Sequence, residues 1–442
     1  MKVLKFGGTS VGSPESIKKV AAIVAGMEGP KVVVLSAMSQ TTNVLHQITD
    51  LIASSKFEEA KELTDTLVDR YKNVAENLFT KESAKKEATA FIEERFDFIK
   101  SYIHEGSVSV ILAIEKIIVA QGEILSTNLF SMYMNEIEVA SSLLSAFDFM
   151  RIDQAGEPDM AYMSENLEAI ISENPTIDLF ITQGYICLNT AGDIDNLKRG
   201  GSDYSASLIG AAITAEEIQI WTDIDGMHNN DPRFVDETFS LKEISFDEAA
   251  ELAYFGAKIL HPQSVIPAKE KNIPVLLKDT FHPASPGTVI KNCEVPNKVR
   301  AIAAKDGITA IKIKSYRMLM AYGFLKKIFE VFEKYKTSID MITTSEVAVS
   351  LTIDDDSYLD EIISELNDFG SVAVDKDLTI ICLAGGFSHS QKGGSAAIFN
   401  SLTDIPIRMI SYGGSNYNVS IVVPTKDKTI ALKSLNEGVF SF

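Results

Sequence analysis

The first thirty-five residues limit what this chain can fold into. "KVLKF" is an apolar run interrupted by Lys5, "GGTSVGS" is a glycine-rich turn, and "PESIKKVAAIVA" carries Ile17, Val20, Ala21 and Val24 at helical spacing. Ser13 before Pro14 reads as an N-cap followed by proline in the first helical turn. The next run, "KVVVL", is short and unalternated, which suits a strand covered on both faces. Strand, glycine turn, helix and strand make a βαβ unit, and the runs "DLFITQGYIC", "IQIWTDIDG" and "IPVLLKD" continue the pattern between helical stretches. The expected class is α/β: an open, mainly parallel sheet sandwiched by helices.

At 442 residues the chain exceeds one ordinary core, and about 100–200 residues per domain suggests roughly two to four. From Phe57 to Gly106 it is polar and low in Gly and Pro, with Ala60, Leu63, Leu67, Tyr71 and Val74 at helical spacing, so a helical insertion is expected. "NCEVPNK" reads as a linker, which bounds a first domain at residues 1–291 and a second region at 299–442. Inside that region Ile328, Phe329 and Leu351 match Ile398, Phe399 and Ile421 at an offset of 70 residues. Two copies of one small α+β fold follow, at about 307–377 and about 378–442. The second copy lacks a final strand, and "VRAIAAK" at 299–305 is expected to supply it.

Several function classes are disfavoured. A net charge of −20 repels nucleic acid and anionic membrane surfaces. The run "VSVILAIEKIIVAQG" is broken by Glu115 and Lys116, so it reads as a buried helix and not a membrane span. Cys187, Cys293 and Cys382 have neither zinc spacing nor an even count, and no secretory leader is recognisable, so a cytoplasmic location is expected. The histidines form no HExxH pair, His261 reads as structural, and Asp223, Asp225 and Asp231 lack the spacing of a calcium loop. No protein-held metal is expected. A nicotinamide dehydrogenase is disfavoured by the absence of GxGxxG and would leave Lys5 unexplained.

"KFGGTS" is not a Walker A loop, because its lysine precedes the glycines. Its physics is related: Gly7 and Gly8 permit close backbone approach, the next helix N-terminus favours an anion, and Lys5 adds a fixed cation. "LKRGGSDYSASLIGAA" repeats the design, with Gly200 and Gly201 as a tight turn, Ser202 able to cap, and Arg199 and Asp203 flanking the loop. "WTDIDGMHNNDPR" joins a strand end to an acidic turn, where an open α/β sheet binds ligands.

Taken in order, "KFGGTSV", "QGEILST", "RGGSDYSA", "WTDIDG", "DPR", "FGAKILHP" and "ITTSEVAVSL" resemble the aspartate kinases of the amino acid kinase family, especially the monofunctional lysine-sensitive type. The resemblance covers nearly the whole chain. It implies transfer of the ATP γ-phosphoryl group to the side-chain carboxylate of L-aspartate, the first step towards lysine, threonine and methionine, with Mg2+ bound mainly through the ATP phosphates. By the same resemblance, Lys5, Gly7, Gly8 and Ser10 face the phosphates. Thr222, Asp223, His228, Arg233 and Lys258 belong to the nucleotide side, although the family often has tyrosine where His228 stands. Glu123 would receive the substrate ammonium, Arg199 its α-carboxylate, and Ser36, Thr42, Gly200, Gly201 and Ser202 would line the aspartate pocket. Asp203 would organise the centre by holding Lys5.

The paired C-terminal units resemble ACT domains, which in this family bind an end-product amino acid at a domain dimer interface. Met318, Phe324, Asp340, Thr344, Ser345 and Glu346 match the lysine-site region, which implies inhibition by L-lysine and a homodimer through the ACT domains, with pairing into tetramers left open. The alternatives are another amino acid kinase, acting on glutamate or N-acetylglutamate, and a catalytically inactive amino-acid sensor.

Overall fold

The computed structural model describes residues 1–197, 200–255, 261–318, 322–387 and 394–440. They form two compact units.

The first unit comprises Met1–Met227, Leu241–Phe246 and Ile259–Asn292. Its elements begin with β1 (Lys2–Phe6), α1 (Pro14–Ala25), β2 (Lys31–Leu35) and α2 (Thr41–Ala53). The polar stretch then forms two long helices, α3 (Phe57–Leu78) and α4 (Glu82–Lys100), followed by α5 (Ile111–Glu136). Next come β3 (Ser142–Leu144), α6 (Met160–Ser172), β4 (Leu179–Gln183), the hairpin β5 (Ile186–Leu188) and β6 (Ile194–Asn196), α7 (Gly201–Ala212) and β7 (Glu217–Thr222). The unit also takes in β8 (Glu243–Ser245), at the start of α8 (Phe246–Tyr254), and then α9 (Ile266–Glu270), β9 (Val275–Asp279) and β10 (Thr288–Lys291).

The main sheet runs β3-β4-β2-β1-β7-β9-β10-β8. Its first six strands are parallel, and β10 turns antiparallel to β9. From β1 the chain builds outward first on the β2 side and later on the β7 side. The order therefore reverses at β1, and a crevice opens beyond the carboxyl end of that strand. All five residues of β2 are buried, as a strand covered on both faces requires. Residues of α1 to α5 pack with Leu4, Phe6, Val33 and Leu35 in one apolar core. The central stretch of α5 is buried nearly all round, Glu123 included.

The second unit comprises His228–Ser240, Asp247–Lys258 and Cys293–Phe442. Its strands and helices are β11 (Val299–Lys314), α10 (Phe324–Lys334), β12 (Ile342–Thr344), β13 (Ala348–Ile353), α11 (Leu359–Leu366), β14 (Ser371–Gly385), α12 (Gly394–Asn400), β15 (Met409–Tyr412), β16 (Asn418–Pro424) and α13 (Lys428–Val439). They build one antiparallel sheet in the order β12-β13-β11-β14-β16-β15. "VRAIAAK" does lie beside the second copy: Ile302 to Lys305 pair with Leu383 to Ile380 of β14, which pairs in turn with β16. It is also continuous with the first strand of the first copy. The two copies thus share two long strands, irregular in register around Lys305 to Ala310, where Gly307 takes a φ of 77°. Two cores result, one around Ile311, Ile328 and Leu351 and the other around Ile381, Ile398 and Ile421.

Residues 228–240 fold with this unit through side-chain amides. Asn229 and Asn230 are buried, and each donates to the Asn436 Oδ1 of α13 at 3.1 and 3.3 Å. Asn436 returns a hydrogen bond to the Glu237 carbonyl at 3.0 Å.

Candidate active site

In the first unit the loop after β1 is shaped by close backbone approach. Gly7 N–H donates to the Trp221 carbonyl at 3.3 Å, and the Gly8 carbonyl accepts from Ser39 N–H at 3.0 Å and from Ser39 Oγ at 2.8 Å. A Cβ on Gly8 would lie 2.8 Å from the Ala37 carbonyl oxygen. Glycine is needed there for space. We expect Gly8→Ala to cost about 1–3 kcal/mol, visible as a lower melting temperature, whereas Gly414→Ala, where a Cβ meets nothing within 4 Å, should change stability by less than about 0.5 kcal/mol.

Lys5 sits on β1 with its Nζ 2.7 Å from Asp203 Oδ1, both side chains being mostly buried at 12% and 18% exposure. Asp203 belongs to the first turn of α7, where the helix N-terminus favours a carboxylate. Gly200 and Gly201 take φ values of 73° and 51° and make the sharp entry into the helix. Ser202 does not cap it: Gly200 occupies the cap position, and Ser202, already helical, accepts from Ser36 Oγ at 2.9 Å. That bond joins the loop after β2 to α7 across the end of β1.

The same loop is seated on α5. Ala37 N–H donates to Glu123 Oε1 at 3.2 Å, and Ser126 Oγ donates to the Ser36 carbonyl at 2.8 Å. Glu123 is 3% exposed, and its Oε2 is buried without a hydrogen-bond partner. Burial pushes its carboxyl up to about 8, against the opposing pull of the Ala37 N–H. The Tyr185 phenol is likewise pushed up to about 12, by burial first and then by the charge of Glu123. A buried carboxyl with one oxygen unsatisfied is a receptor for a cation or a donor.

Thr42 is half-buried in the first turn of α2. Thr222 ends β7 and donates to Asp223 Oδ1 at 3.1 Å. Ser10, expected to face the phosphates, is fully buried, with its hydroxyl 2.7 Å from that of Thr280. Its hydroxyl anchors the loop to the strand end of β9.

His228 and Arg233 fold with the second unit. The His228 Nδ1 pairs with Thr238 Oγ1 at 3.2 Å, and Arg233 forks onto Asp231 with contacts of 2.6 to 3.1 Å. Arg199 and Lys258 lie outside the described residues. Sequence reasoning missed Ser39 and Gly184. A Cβ on Gly184 would lie 2.4 Å from that of Ser202, and the signal was present in a glycine ending the buried run "DLFITQG".

Of the regulatory candidates, all in the second unit, Met318 and Phe324 pack against the core of the first ACT-like half, Thr344 ends β12, and Ser345 and Glu346 follow it, all three exposed. The Asp340 side chain is fully buried and pairs with Lys305 Nζ at 3.0 Å. Among the described residues, no group of three His, Cys, Asp or Glu side chains stands close enough to hold a metal. No helix among them is long and apolar enough to cross a membrane.

The amino acid kinase family model matches residues 1–279 and an ACT domain model matches residues 381–439. The chain is 32% identical over 451 residues to the lysine-sensitive aspartokinase 3 of Escherichia coli, with 99% of each chain covered. Two solved structures of E. coli aspartokinase III, one in complex with aspartate and ADP and one with lysine and aspartate, match at 32% identity over 100% of both chains, with TM-scores of 0.85 and 0.83. With the glycine loop, the Lys5–Asp203 pair and the buried Glu123 in place, the chain belongs to the amino acid kinase family, within its aspartokinase branch.

Proposed function

We propose that the chain transfers the ATP γ-phosphoryl group to the side-chain carboxylate of L-aspartate, giving 4-phospho-L-aspartate and ADP. The observation that carries this reading is the convergence of Lys5, Asp203, Ser36, Ser202 and Glu123 beyond the carboxyl end of β1. A cation-lined glycine loop for phosphates there meets a buried carboxyl suited to an ammonium.

The acceptor needs no activation by a base, because an aspartate side chain is ionised at neutral pH. Its oxygen attacks the γ-phosphorus, the bond from that phosphorus to the β,γ-bridging oxygen breaks, and ADP leaves with the electron pair. No proton is transferred. Catalysis then rests on positioning and charge neutralisation. Lys5 stabilises negative charge on the transferring group, and Asp203 holds Lys5 in place until the phosphates arrive. Glu123 fixes the substrate ammonium, and Arg199 its α-carboxylate by resemblance to the family. Gly7 and Gly8 admit the phosphates close to the backbone. Mg2+ would be held mainly by the nucleotide phosphates, in keeping with its preference for phosphate and water oxygens, and would supply further charge neutralisation there.

Substrate choice is tested by competition. With ATP present, aspartate should be phosphorylated in preference to equimolar glutamate or N-acetylglutamate. Preferred phosphorylation of either competitor would reassign the chain within the amino acid kinase family.

The second unit is proposed to sense L-lysine at the Asp340 and Thr344–Glu346 region, within a homodimer formed through the ACT-like halves. The lysine complex of the E. coli relative and the exposed Tyr316 and Tyr322 beside α10 support this. A ligand changes activity only through different affinity for two conformations. Thr344→Met and Ser345→Leu place bulk on the exposed turn, so half-inhibition should need at least about tenfold more lysine, roughly 1.4 kcal/mol. An unchanged inhibition curve in both variants would remove that turn from the site.

A further inference from the structure

Asp340, assigned above to the lysine site, is sealed by the protein's own groups. Its side chain has no exposed surface, and its Oδ1 receives Lys305 Nζ at 3.0 Å and the Tyr254 hydroxyl at 3.1 Å. Its Oδ2 is buried and has no hydrogen-bond partner. Lys305 also meets Asp354 Oδ2 at 2.7 Å and lies 4.7 Å from the centre of the Tyr254 ring. Two carboxylates thus share one ammonium, which leaves a net negative charge and one open acceptor atom. The electrostatics admit one more cation, yet the geometry closes the route to it, since Lys305 and Tyr254 cover the carboxylate.

We propose that Lys305 is an internal competitor for the regulatory ligand: its ammonium holds the place of a free lysine amine at Asp340, and an arriving amine must displace it. The proposal rests on the lysine-sensing reading above and adds the residue that sets its threshold. Tyr254 gives the displacement a readout. It lies at the end of α8, and its hydroxyl bridges to Asp340, so loss of the shared arrangement frees that helix end. Burial works to raise the Asp340 carboxyl and to lower the Lys305 ammonium. The hydrogen bonds of Lys305 to Asp354 and Asp340 more than offset the latter and hold it above the usual lysine value. The contacts at 3.0 Å to Asp340 and 2.7 Å to Asp354 hold the Lys305 ammonium where an arriving amine would have to sit.

The test is calorimetric titration of L-lysine into the full-length wild type, Lys305→Met and Lys305→Gln, alongside inhibition curves for each. Removing the competing ammonium should tighten lysine binding at least fivefold and lower the half-inhibiting concentration in proportion. Tyr254→Phe should keep lysine affinity within twofold of wild type while weakening inhibition at saturating lysine. Unchanged or weaker lysine binding in a folded Lys305 variant, verified by its thermal transition, overturns the proposal. Should Lys305→Met fail to fold, Lys305→Gln keeps a polar side chain beside Asp340 and decides alone; if both unfold, Lys305 is a structural residue and the proposal is overturned. Absence of lysine binding to the wild type would instead overturn the sensing reading on which the proposal rests.

Discussion

Replacing Lys5 by alanine is expected to lower kcat by about a hundred- to a thousandfold, the usual cost of removing one preorganised group from developing charge. The fold should persist, because Lys5 reaches out of a strand whose backbone pairs with β2 and β7 on both sides. Its partner Asp203 is 18% exposed, so losing the cation leaves a carboxylate that retains some water and the favourable start of α7. A melting temperature close to wild type beside the rate loss would mark a catalytic role. If turnover falls only in step with the folded fraction, Lys5 is structural. Lys5→Arg keeps the charge but not the compact ammonium, and should recover only part of the rate.

Glu123→Gln should raise the KM for aspartate and lower kcat/KM by at least about thirtyfold, the lower end of the cost of truncating a buried charge pair. The same change should stabilise the empty protein at alkaline pH. The Glu123 carboxyl goes from an ordinary value of 4.5 to about 8 on burial, so the folded state binds the proton more tightly than the unfolded chain. Stability from this group is complete below the unfolded value and is lost as pH rises towards the folded one. Through that window wild type should lose about 1.4 kcal/mol per pH unit relative to the glutamine variant. Chemical denaturation of both proteins at several pH values measures the slope, and parallel profiles would refute the assignment. An aspartate ammonium arriving at neutral pH should also ionise Glu123 and release a proton, which titration in buffers of different ionisation enthalpy detects.

The parallel sheet was legible because short unalternated runs such as "KVVVL" and "DLFITQ" leave no other home for so much apolar surface. Lys5 stood out for a related reason: a lysine inside such a run needs a partner, and Asp203 supplies it. The repeat was legible in Ile328 and Ile398, but the fusion of its halves was not. "VRAIAAKDGITAIKIK" contains Asp306 and Gly307, residues that ordinarily mark a turn, yet here they sit at irregularities within one continuous strand. The placement of residues 228–240 was hidden for a different reason. Asn229, Asn230 and Asn436 join it to α13 through amide hydrogen bonds separated by about two hundred residues, and such pairing has no periodic signature. Ser10 and Ser202 show the limit of reading loops by type. Both are hydroxyl residues close to paired glycines, but burial commits one to Thr280 and the other to Ser36.

Hydroxylamine trapping of an acyl phosphate tests the central claim most directly. Purified protein given ATP, Mg2+, L-aspartate and hydroxylamine should form aspartyl hydroxamate with stoichiometric ADP release. Product should vanish when ATP or aspartate is omitted and fall about a hundredfold or more in Lys5→Ala. No hydroxamate from folded wild-type protein under any lysine-free condition would contradict the account.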